Sequence, residues 1–327
     1  MTVTGERAIT APDSAPPSAL PALGGSEIRR FAESIISLHG RLSFGRLPDA
    51  IDGEPLFRST DTGDGLLTLS LRESQIPTRY MKGILGFRLA QYLRLGWISD
   101  ELVYQEALYH EPSGAPNTVE NIHTVTLDEA SGRIVGYIGL VCSLDEKPMP
   151  LDSPRRSRFP SESAHHVDLV SRFAEPGLTS HHVFEIKRFV REVDMARTDQ
   201  RWRVPWHLIL GLCGAALADG SVRLVLGDSK EHGALRHFRL IGFDPVVVEN
   251  TEPRLARSEL MWPSYNQQIN AKPFVAPLPV RLADYAEVIR SSLEDGGGGR
   301  YERGLAARLS AARRTLCGPT SQSDKES

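Results

Sequence analysis

Apolar residues recur along the chain with two different periods, and these periods predict its elements. A spacing of three to four residues predicts helices over Glu27–His39 and Thr78–Gly96. Alternation or short apolar runs predict strands over Leu66–Leu71, Ile122–Leu127, Ile134–Ser143, Val183–Val193, Val222–Leu226 and near Val246–Glu249. Further helices are predicted over Ala164–Phe173, from Pro205 to Gly220, over Glu231–Leu240 and over Arg300–Leu316.

The order of these elements predicts a mixed sheet. The segment "DEASGR" (Asp128–Arg133) lies between two predicted strands and indicates a hairpin. The strand–helix–strand–helix run over residues 183–250 predicts parallel neighbours joined by right-handed crossovers. We therefore expect an α/β (α+β) fold with a mixed, mainly antiparallel central sheet and helices on both faces.

Composition places one large domain between two polar ends. The 327 residues are 40% hydrophobic and 24% charged, which is enough apolar material for a sizeable core. Residues 1–26 are rich in Pro, Ala, Ser and Gly, and we predict that they are disordered. The predicted domain covers residues 27–290, with its core at about 79–250. Residues 291–327 hold a "GGGG" linker, a basic amphipathic helix and a polar tail.

Charge and cysteine usage exclude several classes of partner. The net charge of −3 gives no global reason to expect nucleic acid. Three cysteines without a C-x-x-C pair indicate neither a disulfide framework nor a zinc ribbon. The longest strongly apolar run, Trp206–Ala218, is too short to span a bilayer, and the N-terminus lacks the features of a signal peptide. We therefore expect a cytoplasmic protein with no nucleic-acid partner and no membrane partner.

Several short motifs occur in an order that resembles the GCN5-related N-acetyltransferase (GNAT) superfamily. "GRIVGYIGLV" (Gly132–Val141) resembles that family's second hairpin strand, and "HGALRHFRLIGF" (His232–Phe243) resembles its last helix. A narrower resemblance is to the acyl-homoserine-lactone synthases and related N-acyl amino acid synthases. It rests on "RLGW" (Arg94–Trp97), on the Glu-x-x-Arg-Phe pattern of "EIKRF" (Glu185–Phe189) and on the Pro-rich "KPMPLDSPRRSRFP" (Lys147–Pro160). Together these motifs cover roughly half the chain.

The resemblance implies a GNAT-like acyltransferase fold and transfer of an acyl group from a carrier-protein or coenzyme A thioester to an amine. It implies that Glu185 is the base or anchor for the amine, with Arg188 as its organiser. A β-bulge, which this superfamily commonly has there, would bring the two side chains to one face of the strand; the alternative is a Glu185–Arg188 surface ion pair. The other implied site residues are Phe189 and Val190 on the donor side, and Arg88, Tyr92 and Trp97 on the acceptor side.

The chain departs from the superfamily at the loop that grips coenzyme A. The pattern Q/R-x-x-G-x-G/A corresponds here to "RTDQRWRVPW" (Arg197–Trp206), which has no glycine. We expect a carrier phosphate to bind instead at one or more of three arginines near a helix N-terminus, although a solvated loop is the alternative. These three are Arg197, Arg201 and Arg203. Acyl carrier proteins are acidic, so Arg155, Arg156 and Arg158 are candidates for docking a carrier.

Other positions depart from the family as well. The superfamily's frequent tyrosine acid falls on Phe238, with His237 beside it as a substitute, and a common helix asparagine falls on Glu231. A basic residue that the narrower branch has on the hairpin strand falls near Gly139. An acyl slot lined by Leu140, Phe184, Ile186 and Val225 cannot be told from ordinary core.

The histidine pairs His165–His166 and His181–His182 lack the spacing of a metal site, so we expect no metal. No permanently bound cofactor is expected either, with acyl-ACP or acyl-CoA as co-substrate. The predicted function is N-acylation of an amino acid, an amino metabolite or a peptide by direct attack of its amine. The alternative is a degenerate protein of the same fold that binds an acyl thioester or small ligand without catalysis.

Overall fold

One mixed sheet organises the protein. The computed structural model describes residues 25–112, 118–195, 197–229, 233–266, 271–295 and 301–317. The strands in these ranges are β1 (Phe57–Arg58), β2 (Leu66–Arg72), β3 (Ile122–Asp128), β4 (Arg133–Val141), β5 (Val183–Arg191), β6 (Leu224–Ser229), β7 (Val246–Val247) and β8 (Lys272–Pro277). They form an eight-stranded sheet in the order β1-β2-β3-β4-β5-β6-β8-β7. Neighbours are antiparallel except β5 and β6, which are parallel.

Helices cover both faces of this sheet. They are α1 (Gly25–His39), α2 (Leu47–Ala50), α3 (Thr78–Leu95), α4 (Asp100–Gln105), α5 (Pro160–His165), α6 (Thr198–Asp219), α7 (Ala234–Leu240), α8 (Trp262–Tyr265), α9 (Leu282–Glu294) and α10 (Tyr301–Cys317). One apolar cluster joins α6 and α9 to one face, and a second joins α1 and α3 to the other. The predicted fold class, a mixed and mainly antiparallel sheet with helices on both faces, is therefore confirmed.

The arginine-rich segment before Pro205 is helical, which corrects a predicted boundary. We expected the helix to begin at Pro205, but α6 begins at Thr198 and holds Pro205 in its interior. A proline there loses one backbone hydrogen bond. The neighbouring Val204, Trp206 and Leu208 are buried, and this packing outweighs the local preference of proline. Arg201 and Arg203 therefore lie on a helix rather than on a loop.

Two further predictions need correction. The helix expected over Ala164–Phe173 ends at His165, because His166 has a left-handed backbone with φ 53°. This helix, α5, begins earlier than predicted, at Pro160. The strand β8 and the helix α9 were not predicted at all. Since β8 inserts between β6 and β7, β7 pairs antiparallel with β8 and is not a parallel neighbour of β6. Two prolines in "KPFVAP" mask this strand in the sequence.

The predicted ends of the domain fall mostly outside the described residues. Residues 1–24 and the predicted "GGGG" linker lie there, whereas Gly25 and Ser26 already belong to α1. The helix α10 is close to its predicted bounds and buries Leu305 and Leu309 against the domain. The division into residues 1–26, 27–290 and 291–327 stays a prediction. Among the helices described, none combines the length and apolarity needed to cross a bilayer.

Candidate functional site

The candidate site lies where β5 and β6 separate. The two strands pair from Val183 and Leu224 to Glu185 and Leu226, and β5 then changes register against β4. Tyr137 and Gly139 of β4 face Val190 and Lys187 of β5, so β5 carries one extra residue there. Arg188 lies in this extra segment with a φ of 64°. This irregularity is the predicted β-bulge, which is therefore confirmed.

The bulge brings Arg188 to the same face of β5 as Glu185 and Lys187, as predicted, but Arg188 contacts Glu111 instead of Glu185. The Arg188 Nε lies 3.4 Å from Glu111 Oε2, and its guanidinium carbon lies 5.5 Å from the centre of the Tyr92 ring. Glu185 pairs instead with Lys187, whose Nζ lies 3.4 Å from Glu185 Oε1. Both Glu185 and Arg188 are largely enclosed, so the alternative of a surface ion pair between them is also wrong.

Glu185 has the environment of a weakly acidic carboxyl group. Its side chain is 2% exposed, and its Oε1 accepts the backbone N–H of Ser161 at 3.2 Å. Among the described residues its Oε2 has no hydrogen-bond donor. Burial, with the nearby charge of Asp228, raises the pKa of Glu185 to about 7 although Lys187 opposes the shift. A carboxylate with a pKa near neutrality suits general-base chemistry.

Asp228, near the end of β6, is a second acid beside Glu185, and its side chain is 21% exposed. Tyr265 donates its hydroxyl to Asp228 Oδ2, and His165 Nε2 lies 3.7 Å from the same oxygen. Burial opposes the ionisation of Asp228, but the nearby His165 and the hydrogen bond from Tyr265 hold its pKa below its usual value. Asp228 therefore stays negative and favours protonation of Glu185.

Glu111 holds two arginines at the other end of the site. Arg88 and Arg188 both contact its Oε2, and the Arg88 guanidinium also lies 5.1 Å from the Tyr137 ring centre. Burial opposes the ionisation of Glu111, but the charges of Arg188 and Arg88 hold its pKa below the ordinary value. One carboxylate thus faces two largely enclosed guanidiniums, and these three side chains together carry a charge of about +1.

A cavity of about 330 Å³ opens between these charges and the side chains of Met81 and Leu85 on α3. This volume lies at the lower end of the range for small-molecule sites. Its charged lining residues are Glu73, Arg88, Glu111, Arg158, Lys187 and Arg188. Its apolar lining includes Met81, Leu85, Ile122, Leu144 and Phe159. Lys187 lines the cavity but Glu185 does not, so the amine of Lys187 lies nearer the cavity than the carboxyl group.

The departure at Gly139 is explained by its neighbour on the same strand. A Cβ at Gly139 would lie 2.7 Å from the Tyr137 hydroxyl oxygen, so this side chain occupies the space. His123 Nδ1 lies 2.9 Å from that hydroxyl, and Arg88 Nη1 donates to it at 3.4 Å. Positive charge at this place therefore comes from α3 rather than from the hairpin strand.

The three arginines predicted to bind phosphate lie in different environments. Arg203 is 10% exposed, contacts Asp64 at 3.2 Å and donates at 2.5 Å to the Leu293 carbonyl of α9, so its guanidinium is used inside the fold. Arg197 is exposed and pairs with Asp199. Arg201 is half-buried, donates to the Met195 carbonyl at 3.1 Å and has an Nε without a hydrogen-bond acceptor in the described ranges. Arg201 and Arg197 remain candidates, whereas Arg203 is withdrawn.

Of the three arginines predicted to dock a carrier, one is bound inside the fold and two are exposed. Arg156 makes two hydrogen bonds, of 2.8 and 3.0 Å, to the buried carboxylate of Glu162, so it serves the fold and is withdrawn. Arg155 and Arg158 are exposed, and Arg158 lies at the edge of the cavity. The docking prediction therefore narrows to these two residues.

The predicted apolar slot is closed core. Leu140, Phe184, Ile186 and Val225 lie buried beneath α6, where the space beside Leu140 and Val225 measures about 10 Å³, room for one water at most. The alternative of ordinary core is therefore the correct interpretation.

The residues expected near the donor pack against α7 or within the sheet. The Phe189 ring lies 5.9 Å from His237 and 6.4 Å from Phe238, whereas Val190 is buried in the opposite cluster. His237 packs 5.0 Å from the Trp206 ring, as a packed helix residue does. Glu231 lies outside the described residues.

On the acceptor side the structure separates three predicted residues. Arg88 lines the cavity directly. Tyr92 lies beneath the Arg188 guanidinium, and Trp97 packs on Tyr92 with the ring centres 5.7 Å apart. Tyr92 and Trp97 therefore support the site from behind.

Both histidine pairs make contacts within the fold. His165 lies beside Asp228 and hydrogen-bonds to Thr251, and His182 Nδ1 accepts the Thr179 N–H at 3.1 Å. His181 Nε2 lies 2.8 Å from the Asp145 carbonyl oxygen. In the part of the chain that the structure describes, no three His, Cys, Asp or Glu side chains gather as metal ligands would.

Sequence reasoning missed four members of the site, namely Lys187 as the partner of Glu185, and Glu111, Asp228 and Tyr265. Asp228 carried a usable signal, because it follows the apolar run "LVLG" in a strand predicted to lie parallel to β5. The two strands then separate, which leaves an acid there beside Glu185. Glu111 and Tyr265 lie in segments without a regular pattern, so only the tertiary structure reveals them.

No family model matches the sequence, and no curated protein matches it. Solved structures similar to the chain include the AHL (acyl-homoserine lactone) synthase LasI, 11% identical over 65% of this chain and 89% of that chain with a TM-score of 0.41. The CoA-dependent acyl-homoserine lactone synthase BjaI, with SAM and isopentyl-CoA, is 15% identical over 72% and 95%, with a TM-score of 0.36. A GCN5-related N-acetyltransferase from Brucella melitensis is 9% identical over 79% and 97%, with a TM-score of 0.41. At these identities the function has to be argued from the side chains of the site.

Proposed function

We propose that the protein is an N-acyltransferase that moves an acyl group from a coenzyme A or carrier-protein thioester to an amine. The observation that carries this proposal is Glu185, a buried carboxyl group with a pKa of about 7 at the point where two parallel strands separate, beside a charged cavity. The attacking amine must lose a proton as its nitrogen bonds to the acyl carbon, and this carboxylate is the base suited to accept that proton near neutral pH. No covalent enzyme intermediate is required.

The acceptor amine is proposed to enter the cavity, where Arg88 contacts it and Tyr92 and Trp97 hold Arg188 from behind. The thioester is proposed to lie along β5 beyond the bulge, at Phe189 and Val190, because β6 no longer pairs with that edge. Backbone N–H groups at the separated strands would then stabilise the thioester oxygen as negative charge develops on it. The acceptor class is an amino acid, amino metabolite or peptide.

Thiol release tests this function directly. The protein is incubated with acyl-coenzyme A or an acyl-carrier thioester of varied chain length and a pool of amines, and free thiol and product mass are followed. Amine-dependent thiol release with an amide product supports the proposal. Binding of a thioester without release from any donor would instead support the degenerate, non-catalytic binder, which the enclosure of Glu185 behind Lys187 favours.

The rate of transfer should depend on pH through Glu185. Because only the ionised carboxylate can accept a proton, kcat should be low in acid, rise with pH through about 7 and level off above it. The measurement is kcat at saturating substrates across this range. If kcat instead rises around the ordinary pKa of a glutamate, Glu185 is not the base whose titration controls the rate.

Arg201 should contribute to binding of a donor that carries phosphate. It lies in the first turn of α6, near Arg191, where helix dipole and guanidinium both attract anions. Replacing Arg201 by Ala should raise the KM for acyl-coenzyme A about tenfold, the loss expected for one charge-assisted hydrogen bond. The KM for an acyl-N-acetylcysteamine thioester, which lacks phosphate, should not change.

Arg197→Ala is the matched comparison for this experiment. Arg197 is exposed and already paired with Asp199, so its loss should alter the KM for acyl-coenzyme A less than Arg201→Ala does. An equal rise in KM for both thioesters in Arg201→Ala would exclude a phosphate contact.

A further inference from the structure

The carboxyl group that the proposed chemistry needs is separated from the cavity by a lysine. Glu185 and Lys187 are two residues apart on β5, so both point to the same face of the sheet. Lys187 retains 20% exposure and lines the cavity, whereas Glu185 is 2% exposed beneath it. The Nζ–Oε1 distance of 3.4 Å puts the ammonium and the carboxylate close enough to exchange a proton after a small movement.

Arg188 does not take this place, although it lies on the same face of β5. It contacts Glu111, and Lys187 is the ion-pair partner of Glu185. The second oxygen of Glu185 has no donor in the described part of the chain, so the carboxylate is under-coordinated. An arginine at position 187 would keep the positive charge but could not pass on a proton, because a guanidinium does not lose its proton in proteins.

We propose that Lys187 relays the proton: it takes one from the attacking amine while it passes one of its own to Glu185. The inference rests on the proposed acyl transfer. As the amine nitrogen bonds to the acyl carbon, its N–H bond breaks and a new N–H bond forms on Lys187 Nζ. A proton moves from Nζ to Glu185 Oε1, the carbon–sulfur bond breaks, and the thiolate leaves. The proton on Glu185 then returns through Lys187 to the thiolate or to water, so charge and atoms balance.

The electrostatic setting brings the two groups closer in acidity. Burial lowers the pKa of Lys187 although Glu185 opposes the shift, and burial raises that of Glu185. Arg188 lowers the Lys187 pKa further, and Asp228 of β6 raises it. The remaining titratable or charged groups around the cavity and Glu185 are Glu73, Arg88, Glu111, His123, Tyr137, Cys142, Arg158, His165 and Tyr265.

Two substitutions separate the relay from a purely electrostatic role. Lys187→Met and Lys187→Arg should both lower kcat by about 100-fold at every pH, the usual contribution of a positioned proton-transfer group. The KM for the thioester should stay within about twofold of wild type, because the loss of a proton-transfer group does not change how the thioester is bound. Lys82→Met, at an exposed position of α3, is the matched control and should behave as wild type.

Each alternative has its own result. If Glu185 acts directly, kcat of Lys187→Met should still reach the wild-type plateau, but at a higher pH, because Glu185 loses a neighbouring positive charge. This result overturns the relay but not the proposed acyl transfer. A fully active Lys187→Arg variant also overturns the relay, since charge alone then suffices. Wild-type protein that releases thiol from no donor overturns the acyltransferase, and the relay with it, before any variant is compared.

A chemical readout does not depend on turnover. Competitive labelling with acetic anhydride, followed by mass spectrometry over the six lysines of the chain, reports the pKa of each amine. Lys187 should titrate below the exposed Lys82, and further below it in Glu185→Gln, where its counter-ion is gone. A Lys187 that titrates with Lys82 in the wild-type protein overturns the relay.

Discussion

Replacement of Glu185 by Gln should lower kcat by at least about 100-fold, because the amide cannot accept the proton of the attacking amine. Stability should change little. Removing a carboxyl group whose pKa rises on folding relieves the free-energy cost of burying it. Lys187 loses its ion-pair partner at the same time, and this loss offsets the gain in stability. Glu185 binds more protons when folded than when unfolded between its ordinary pKa and about 7, so it weakens the wild-type fold as pH rises through this window. Amide formation at neutral pH measures the effect on kcat, and urea denaturation from the ordinary pKa of a glutamate up to about pH 7 measures the effect on stability.

Glu192→Gln is the control for this experiment. Glu192 directly follows β5 and is also mostly buried, but it faces Arg133 rather than the cavity. Its replacement should leave kcat unchanged. A Glu185→Gln variant that transfers acyl groups at the wild-type rate would remove Glu185 from the chemistry. A variant that is unfolded at neutral pH would show that its carboxyl group serves the fold.

The features of this site that depend on neighbouring residues could be predicted from the sequence, whereas those that depend on distant residues could not. The strand around Glu185, the hairpin before it and the helix α3 follow from apolar periodicity, which local burial enforces. The bulge followed from the resemblance, and the structure confirms it. The destination of Arg188 could not be predicted, because its partner Glu111 lies in a segment without a regular pattern, brought to the site by tertiary packing.

The phosphate prediction shows why charge clusters in a sequence mislead. Three arginines within seven residues suggested one anion site, yet Arg197 precedes α6, and the helix turns Arg201 and Arg203 to different sides. Arg203 points into the fold, where Asp64 and a carbonyl of α9 bind it, and α9 itself was not predicted. A basic run predicts a shared function only where its backbone conformation is known.

Replacement of Glu111 by Gln should destabilise the protein by about 3–5 kcal/mol, the usual cost of removing one partner from a buried ion pair. The reason is charge balance: Glu111 contacts both Arg88 and Arg188, whose side chains are 12% and 22% exposed, and offsets one of their two positive charges. Without it, two enclosed guanidiniums repel each other. The measurement is the urea midpoint, and Arg88→Met added to Glu111→Gln should recover part of the loss by removing one uncompensated charge.

Glu33→Gln provides the matched control, since its carboxylate pairs with Arg29 on the exposed face of α1 and should contribute less than about 1 kcal/mol. A Glu111→Gln variant with the wild-type midpoint would mean that another anion balances the two arginines.

Replacement of a glutamate by glutamine is thus expected to lower stability at Glu111 and activity at Glu185. Glu111 has too many cations around it, so its pKa falls and its loss costs stability. Glu185 has too few, so its pKa rises and its loss costs activity. This imbalance of charge, rather than burial alone, distinguishes the carboxylate that holds the site together from the one available for proton transfer.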